Sequence, residues 1–224
     1  MFEKSQKDLP FCLQIDTPYR TVYPRGMPRL TEATKQARRA QIINAAFTCF
    51  TAKGYSNTSM SDIIKESGLS SGSIYSHFDG KGDILHATVQ QRIDMITAAY
   101  QELNTPSPRD IMRMIFSTSA VEANFTSMLR IRLEAFTVPE VQESTNTLFT
   151  TLHDIVAQSL TPWGQQYLKA KNKRKPSADE LHSFVSDTAD ALILTFQGFM
   201  VRSTLSASTN REHLFNIALN LLPE

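Results

Sequence analysis

Apolar positions along the chain recur with the 3.6-residue period of amphipathic helices, and nowhere do they alternate as in a half-buried strand. From about Thr34 to Lys53, Ile42, Ile43, Ala46, Phe47 and Phe50 mark one inward stripe, and Gly54 stands where a helix end favours glycine. A shorter helix is predicted next. Ser59-Met60-Ser61-Asp62 has the form of a capping box, Met60, Ile63 and Ile64 supply its inward face, and Gly68 closes it. Ser70 is a second good N-cap, ahead of Ile74 and Phe78. A longer helix then carries Ile84, Leu85, Val89, Ile93 and Ile96 on its buried stripe and runs to about Leu103. The pattern therefore sets two short helices about a tight glycine turn, between two longer ones.

Thr105-Pro106-Ser107-Pro108 is the clearest break in the chain. Beyond it the spacing predicts one helix after Pro108, one with Phe125, Leu129, Arg132, Leu133 and Phe136 before Pro139, and one with Leu148, Leu152, Ile155 and Val156. Ser177-Ala178-Asp179-Glu180 is a further capping box. It opens a long helix whose Leu181, Phe184, Val185, Thr188, Leu192, Phe196 and Met200 share one broad face. Thr209 and Glu212 read as the cap of a last helix presenting Leu214, Ile217, Ala218 and Leu221. The basic run Lys169–Lys175, lying before a proline, reads as a surface loop. Residues 1–28 hold Pro10, Pro18, Pro24, Gly26 and Pro28 without a sustained period, so an irregular extension is expected, with Met27 as the natural start.

Composition narrows the class. A chain of 224 residues, 41% hydrophobic and 20% charged, builds a sizeable core without covalent staples. Cys12 and Cys49 sit on unlike segments and suggest neither a disulfide framework nor a zinc site. No apolar run approaches the roughly 18–20 residues of a membrane span, and no signal-peptide pattern opens the chain, so a cytoplasmic, reducing location is expected. The net charge of +1 argues against nucleic acid only until its distribution is read. Between Met27 and Arg92, eight basic residues face five acidic ones, the sign a DNA-facing module needs.

The stretch from Gly54 to Phe78, through Ser59-Met60-Ser61-Asp62-Ile63-Ile64 and Gly68-Leu69-Ser70-Ser71-Gly72-Ser73-Ile74-Tyr75-Ser76-His77, closed by Lys81 and Leu85, resembles the DNA-binding signature of the TetR/AcrR family. The resemblance covers about fifty residues. It implies an all-α fold, with a three-helix helix-turn-helix domain over residues 29–80 and a helical ligand-binding and dimerisation domain over 81–224, whose helix 81–103 is the connector. It also implies a homodimer on double-stranded operator DNA and release of a repressor from a palindromic site by a small-molecule effector.

A recognition helix needs a small-residue leading turn to approach bases and phosphates, and Ser70-Ser71-Gly72-Ser73 supplies one. Ser71, Gly72, Ser73 and Ser76 are expected in the major groove, with Ile74 and Phe78 turned inward. By match to the family pattern, Thr58, Ser59, Tyr75, His77 and Lys81 would grip phosphates, contacts that set register rather than sequence preference. Ser71 stands where the family often has lysine, which removes a strong guanine reader. Arg38 and Arg39, at the entry to the first helix, are either further phosphate contacts or a solvated basic face.

Downstream, Met112, Phe116, Phe125, Met128, Phe136, Phe149, Trp163, Phe196 and Phe199 are candidates for an adaptable apolar effector pocket, although each is also an ordinary core residue. His153 and Arg130 are candidates to orient a polar group of the effector. The capped C-terminal helices, near 177–206 and 210–222, have faces broad enough to pair across a two-fold axis. No cofactor, metal or membrane contact is expected. The sequence offers no metal-ligand cluster, glycine-rich phosphate loop or nucleophile–base pair, which argues against an enzyme. The alternative reading is a DNA-organising or cell-division protein on the same fold.

Overall fold

Thr31 opens the first helix by accepting from the Thr34 amide at 3.2 Å, and α1 runs Glu32–Lys53. The structure, a computed structural model, describes residues 31–117, 125–205 and 210–223. The extension expected over 1–28 and the start expected at Met27 lie outside these.

Gly54 ends α1 at φ 87°. The Ser59–Asp62 capping box forms with both halves present, and α2 (Met60–Ser67) stops at Gly68 in the left-handed conformation, φ 67°. Ser70 then caps α3 (Ser71–Tyr75) through the Ser73 amide. These local signals fix the boundaries because each satisfies backbone groups that a helix end leaves open. α4 (Lys81–Gln101) follows at once. Ile42, Ile43, Ala46, Phe50, Ile63, Ile74, Phe78, Ile84 and Leu85 form one buried cluster, which locks α3 onto its neighbours. Val141, from far along the chain, completes that cluster.

The rest is helical too: α5 (Pro108–Ser117), α6 (Phe125–Glu134), α7 (Pro139–Asn172), α8 (Ala178–Leu205) and α9 (Arg211–Asn220). Among the described residues there is no strand, so the all-α class holds. α7 lies against α8 and α4 over a second core that includes Tyr100, Ile111, Leu160, Trp163, Val185 and Leu192.

One predicted helix extends well beyond its stripe, and two local expectations change. α7 is one helix of 34 residues passing through Pro162. Its apolar face outweighs the bond lost at proline, since Leu160, Trp163 and Leu168 stay buried on the stripe begun by Val156. The basic run is largely helical rather than a loop, because α7 continues to Asn172 before Lys173 turns left-handed at φ 52°; Arg174 then pairs with Glu180 at 2.8 Å. The last helix is capped by Asn210, whose side chain accepts from the His213 amide at 3.0 Å. Thr209, expected in that role, lies outside the described residues.

Candidate nucleic-acid interface and effector cavity

α3 is held from behind by fully buried Ile74 and by Phe78, with its leading end outward. Ser71, Gly72, Tyr75 and Ser76 are exposed, and nothing lies within 4 Å of where a Cβ on Gly72 would stand. Tyr75 keeps 52% of its surface open, which is unusual for an aromatic ring with a core beside it. Ser76 Oγ donates to the Ser73 carbonyl at 2.6 Å and keeps its acceptor capacity. His77 is half-buried. Arg39 is exposed, with its guanidinium over the Phe78 ring at 5.1 Å, next to the end of α3; Arg38 is half-buried. Ser59 faces solvent, but its hydroxyl is engaged by the Asp62 carboxylate at 2.7 Å.

Three residues expected at DNA are placed otherwise. Thr58 is 1% exposed and its hydroxyl donates to the Gly54 carbonyl at 2.6 Å, closing the α1–α2 turn rather than facing a phosphate. Lys81 donates its ammonium to the carbonyls of Tyr55 and Thr58 at 3.0 and 2.9 Å and lies over the Tyr55 ring at 4.2 Å. That geometry ties α4 to the turn. Ser73 Oγ is buried and has no hydrogen-bond partner among the described residues.

The same α1–α2 turn is gripped from α6. Glu134 accepts from the amides of Tyr55 and Ser56 at 3.0 and 2.7 Å and from the Ser56 hydroxyl at 2.6 Å. Arg130 donates to the Ala52 carbonyl, and the Tyr55 hydroxyl donates to Glu140 at the start of α7. Burial and the Glu140 carboxylate push the Tyr55 phenol above its ordinary range. Gly54 is favoured here because its φ is positive, and a Cβ would also displace the Glu134 carboxylate. Sequence spacing alone gave no sign of this joint.

Behind it lies a cavity of about 360 Å³ between α4, α5, α6, α7 and α8, of the size of ordinary small-molecule sites. Of the residues expected to line a pocket, Met128, Phe149 and Phe196 do. Phe116, Phe125 and Phe199 form an adjoining aromatic cluster, with Phe116 and Phe199 centroids 4.4 Å apart. Met112 is sealed in the core, and Trp163 stacks with Tyr167 and Phe184 further along α7. His153 turns outward, near Ser186 at 3.2 Å and Asp154. Phe136 is 85% exposed on the wall of an open groove, because α6 ends at Glu134 and its stripe stops there. Arg130, expected at the effector, is on the joint instead. The arginine that α6 sends to the cavity is Arg132, on the opposite face of the same helix. Its signal was a charge on the apolar stripe Phe125, Leu129, Arg132. Arg92 also lines the cavity while lying over the Phe47 ring of α1 at 4.7 Å.

A capped pair of short helices, clamped on its apolar side and open at a serine- and glycine-led end, defines a helix-turn-helix DNA-binding module. Residues 42–88 match the family described as bacterial regulatory proteins, tetR family. Over 67 residues the chain is 34% identical to the uncharacterized HTH-type transcriptional regulator YfiR of Bacillus subtilis, a match covering 30% of this chain and 33% of that protein. The chain spans between about a third and just under half of the length of the first curated relatives it matches. Two solved structures follow it nearly throughout. Salmonella enterica GusR aligns with a TM-score of 0.60 at 21% identity, covering 87% of this chain and 99% of its own. FadR of Bacillus subtilis, in complex with stearoyl-CoA, aligns at 0.59 and 18%, covering 81% and 96%. The N-terminal module is a TetR-family DNA-binding domain, and the chain around it has the TetR-type regulator fold.

Proposed function

We propose that this chain is a TetR-type transcriptional regulator, most simply a repressor that leaves a palindromic operator when an effector occupies the cavity behind α6. The observation that carries the reading is α3, whose inward face is fully packed while Ser71, Gly72, Tyr75 and Ser76 stand free of protein. Of these, Ser71, Gly72 and Ser76 form the proposed groove-reading surface, and Tyr75 is a phosphate contact beside it. Arg39, Arg38, His77 and Ser59 flank it as phosphate contacts that hold register. The working division is a DNA-binding unit over 29–80 and an effector and dimerisation unit over 81–224, with α4 as connector, and the setting is the cytoplasm.

A second copy of the chain fits the C-terminal helices. On α8, Leu194, Val201 and Leu205 follow one another at helical spacing around Gly198 and remain exposed, and on α9 Ile217 and Leu221 do the same. A two-fold pairing of these faces makes a four-helix bundle and sets two copies of α3 side by side.

The joint supplies a route from effector to DNA. α6 carries Arg132 into the cavity on one face and holds the α1–α2 turn with Arg130 and Glu134 on the other. A ligand that shifts α6 therefore shifts the element on which α3 is mounted. Moving a population from mostly operator-competent to mostly incompetent takes about 5.5 kcal/mol of differential affinity, which calls for a buried and specific ligand. A ligand site in this fold is supported by FadR of Bacillus subtilis, a transcriptional regulator solved in complex with stearoyl-CoA.

The full chain titrated onto a fluorescent duplex from its own upstream region tests the reading. Binding at low salt, falling linearly in log–log form as salt rises, with sedimentation of a dimer, is the expected result. No binding at low salt overturns it. A DNA-organising role would instead show many dispersed genomic sites with no response to metabolites.

A further inference from the structure

The effector cavity is apolar in most of its wall, yet its charged lining is of one sign. Arg92 and Arg132 both border it, and among the described residues no acidic side chain does. Arg132 is the more telling of the two. Its guanidinium donates to the Met200 thioether at 3.3 Å and lies over the Phe149 ring at 5.1 Å. Among the described residues it has no carboxylate within ion-pair distance. Burial alone lowers its pKa from the ordinary arginine value, as expected for a cation taken from water without a counter-ion. A sulfur and a ring are weak substitutes, since a guanidinium is built to meet two oxygens at once.

The position of Arg132 matters as much as its lack of an acid. Arg132, Phe149 and Gln197 line both the inner cavity and the open groove of about 310 Å³ beside it. The inner side is hydrocarbon, including Ile96, Met114, Leu148 and Leu152. The groove side adds the polar Gln142, Thr145 and Asn146. Arg132 thus marks the boundary between an apolar chamber and a wetter mouth.

We propose that the effector is an amphiphilic anion, its apolar body in the chamber and its carboxylate or comparable anionic group paired with Arg132 at the mouth. A neutral hydrophobe of the same shape leaves the guanidinium unpaired, and a cation adds a like charge to it. The effect on DNA rests on the regulator reading above, but the binding preference does not.

Calorimetry on the full chain without DNA tests it, using dodecanoate and naphthoate, each against its neutral alcohol and its ammonium counterpart. At least one carboxylate is expected to bind about tenfold or more tightly than its alcohol, with the ammonium form weakest. R132K should keep the order of preference and R132M should erase it, while a higher melting temperature for ligand-free R132M would show that a folded protein has lost an unpaired buried charge. Equal affinity for carboxylate and alcohol, no binding by either pair, or an unchanged preference in folded R132M overturns the proposal. A duplex titration on the same samples separates this outcome from failure of the regulator reading: a chain that binds carboxylates but not DNA sinks only the latter.

Discussion

The Glu134 carboxylate accepts the backbone amide of Tyr55, 79 residues earlier, at 3.0 Å, and so bolts the C-terminal end of α6 to the turn that precedes the helix-turn-helix. One carboxylate answers three donors there, those of the Tyr55 amide, the Ser56 amide and the Ser56 hydroxyl. Hydrogen bonds to a charged group contribute more than neutral ones, so E134A should lower the unfolding free energy by about 1.5–3 kcal/mol. Urea unfolding measures this, and E134Q, which keeps one acceptor oxygen, should fall between E134A and the parent.

Gly54 faces the same carboxylate. G54A forces a side chain into positive φ and into Glu134, and the backbone part alone costs on the order of 1–3 kcal/mol. Because E134A removes the atoms that the new methyl meets, the double variant should lose less stability than the two single losses added together. Strict additivity would place the two residues in separate networks.

These long-range contacts explain what the sequence could and could not show. Ser59, Asp62, Gly68 and Ser70 were legible because a cap is written within three or four residues, and each forms as expected. Helix periodicity likewise placed Ile74 and Phe78 inward. The joint depends on which helix face α6 turns toward the α1–α2 turn, and that is decided by tertiary packing. Arg130 and Arg132 differ by two residues, hence by more than half a turn of helix, so only the fold separates the residue on the joint from the residue in the cavity. Thr58 and Lys81 fit a phosphate-binding pattern but turn inward to donate to carbonyls of the turn, those of Gly54, Tyr55 and Thr58.

Ser73 gives a test on α3 itself. Its buried hydroxyl lacks a partner among the described residues, so S73A should leave stability unchanged or raise it by about 1 kcal/mol and should not change which bases are selected. R39A, by contrast, should weaken binding to all duplexes alike and reduce the salt slope by about one. A changed base preference in S73A would mean that the hydroxyl turns outward on DNA.

Arg92 touches the cavity and the Phe47 ring of α1 together. An exposed cation–π contact contributes about 0.5–1 kcal/mol, so R92M should alter stability little. Its effect should fall on coupling, with the ligand still bound but less able to lower operator affinity. Anisotropy with and without a carboxylate ligand reads this, and an undiminished response excludes the route through Arg92.

Acid stability should depend on Asp62. The Lys53 ammonium at 2.6 Å, with the Ser59 amide and hydroxyl, holds its carboxyl well below the usual range. A pKa depressed in the folded chain supplies stability above the ordinary value near 3.8, and that support is lost as the pH falls further. D62N should therefore flatten the acid limb of a plot of melting temperature against pH, and should differ most from the parent at neutral pH.

Selection of binding sites by the full chain from a pool of random duplexes bears on α3 most directly. The enriched sequences should be two-fold symmetric, with half-site centres about 34–36 Å apart or a multiple of that spacing, matching two copies of α3 related by a dimer axis. Retention of no duplex at low salt, or enrichment of sequences without two-fold symmetry, would contradict the assignment of α3 as the reading helix of a dimeric regulator.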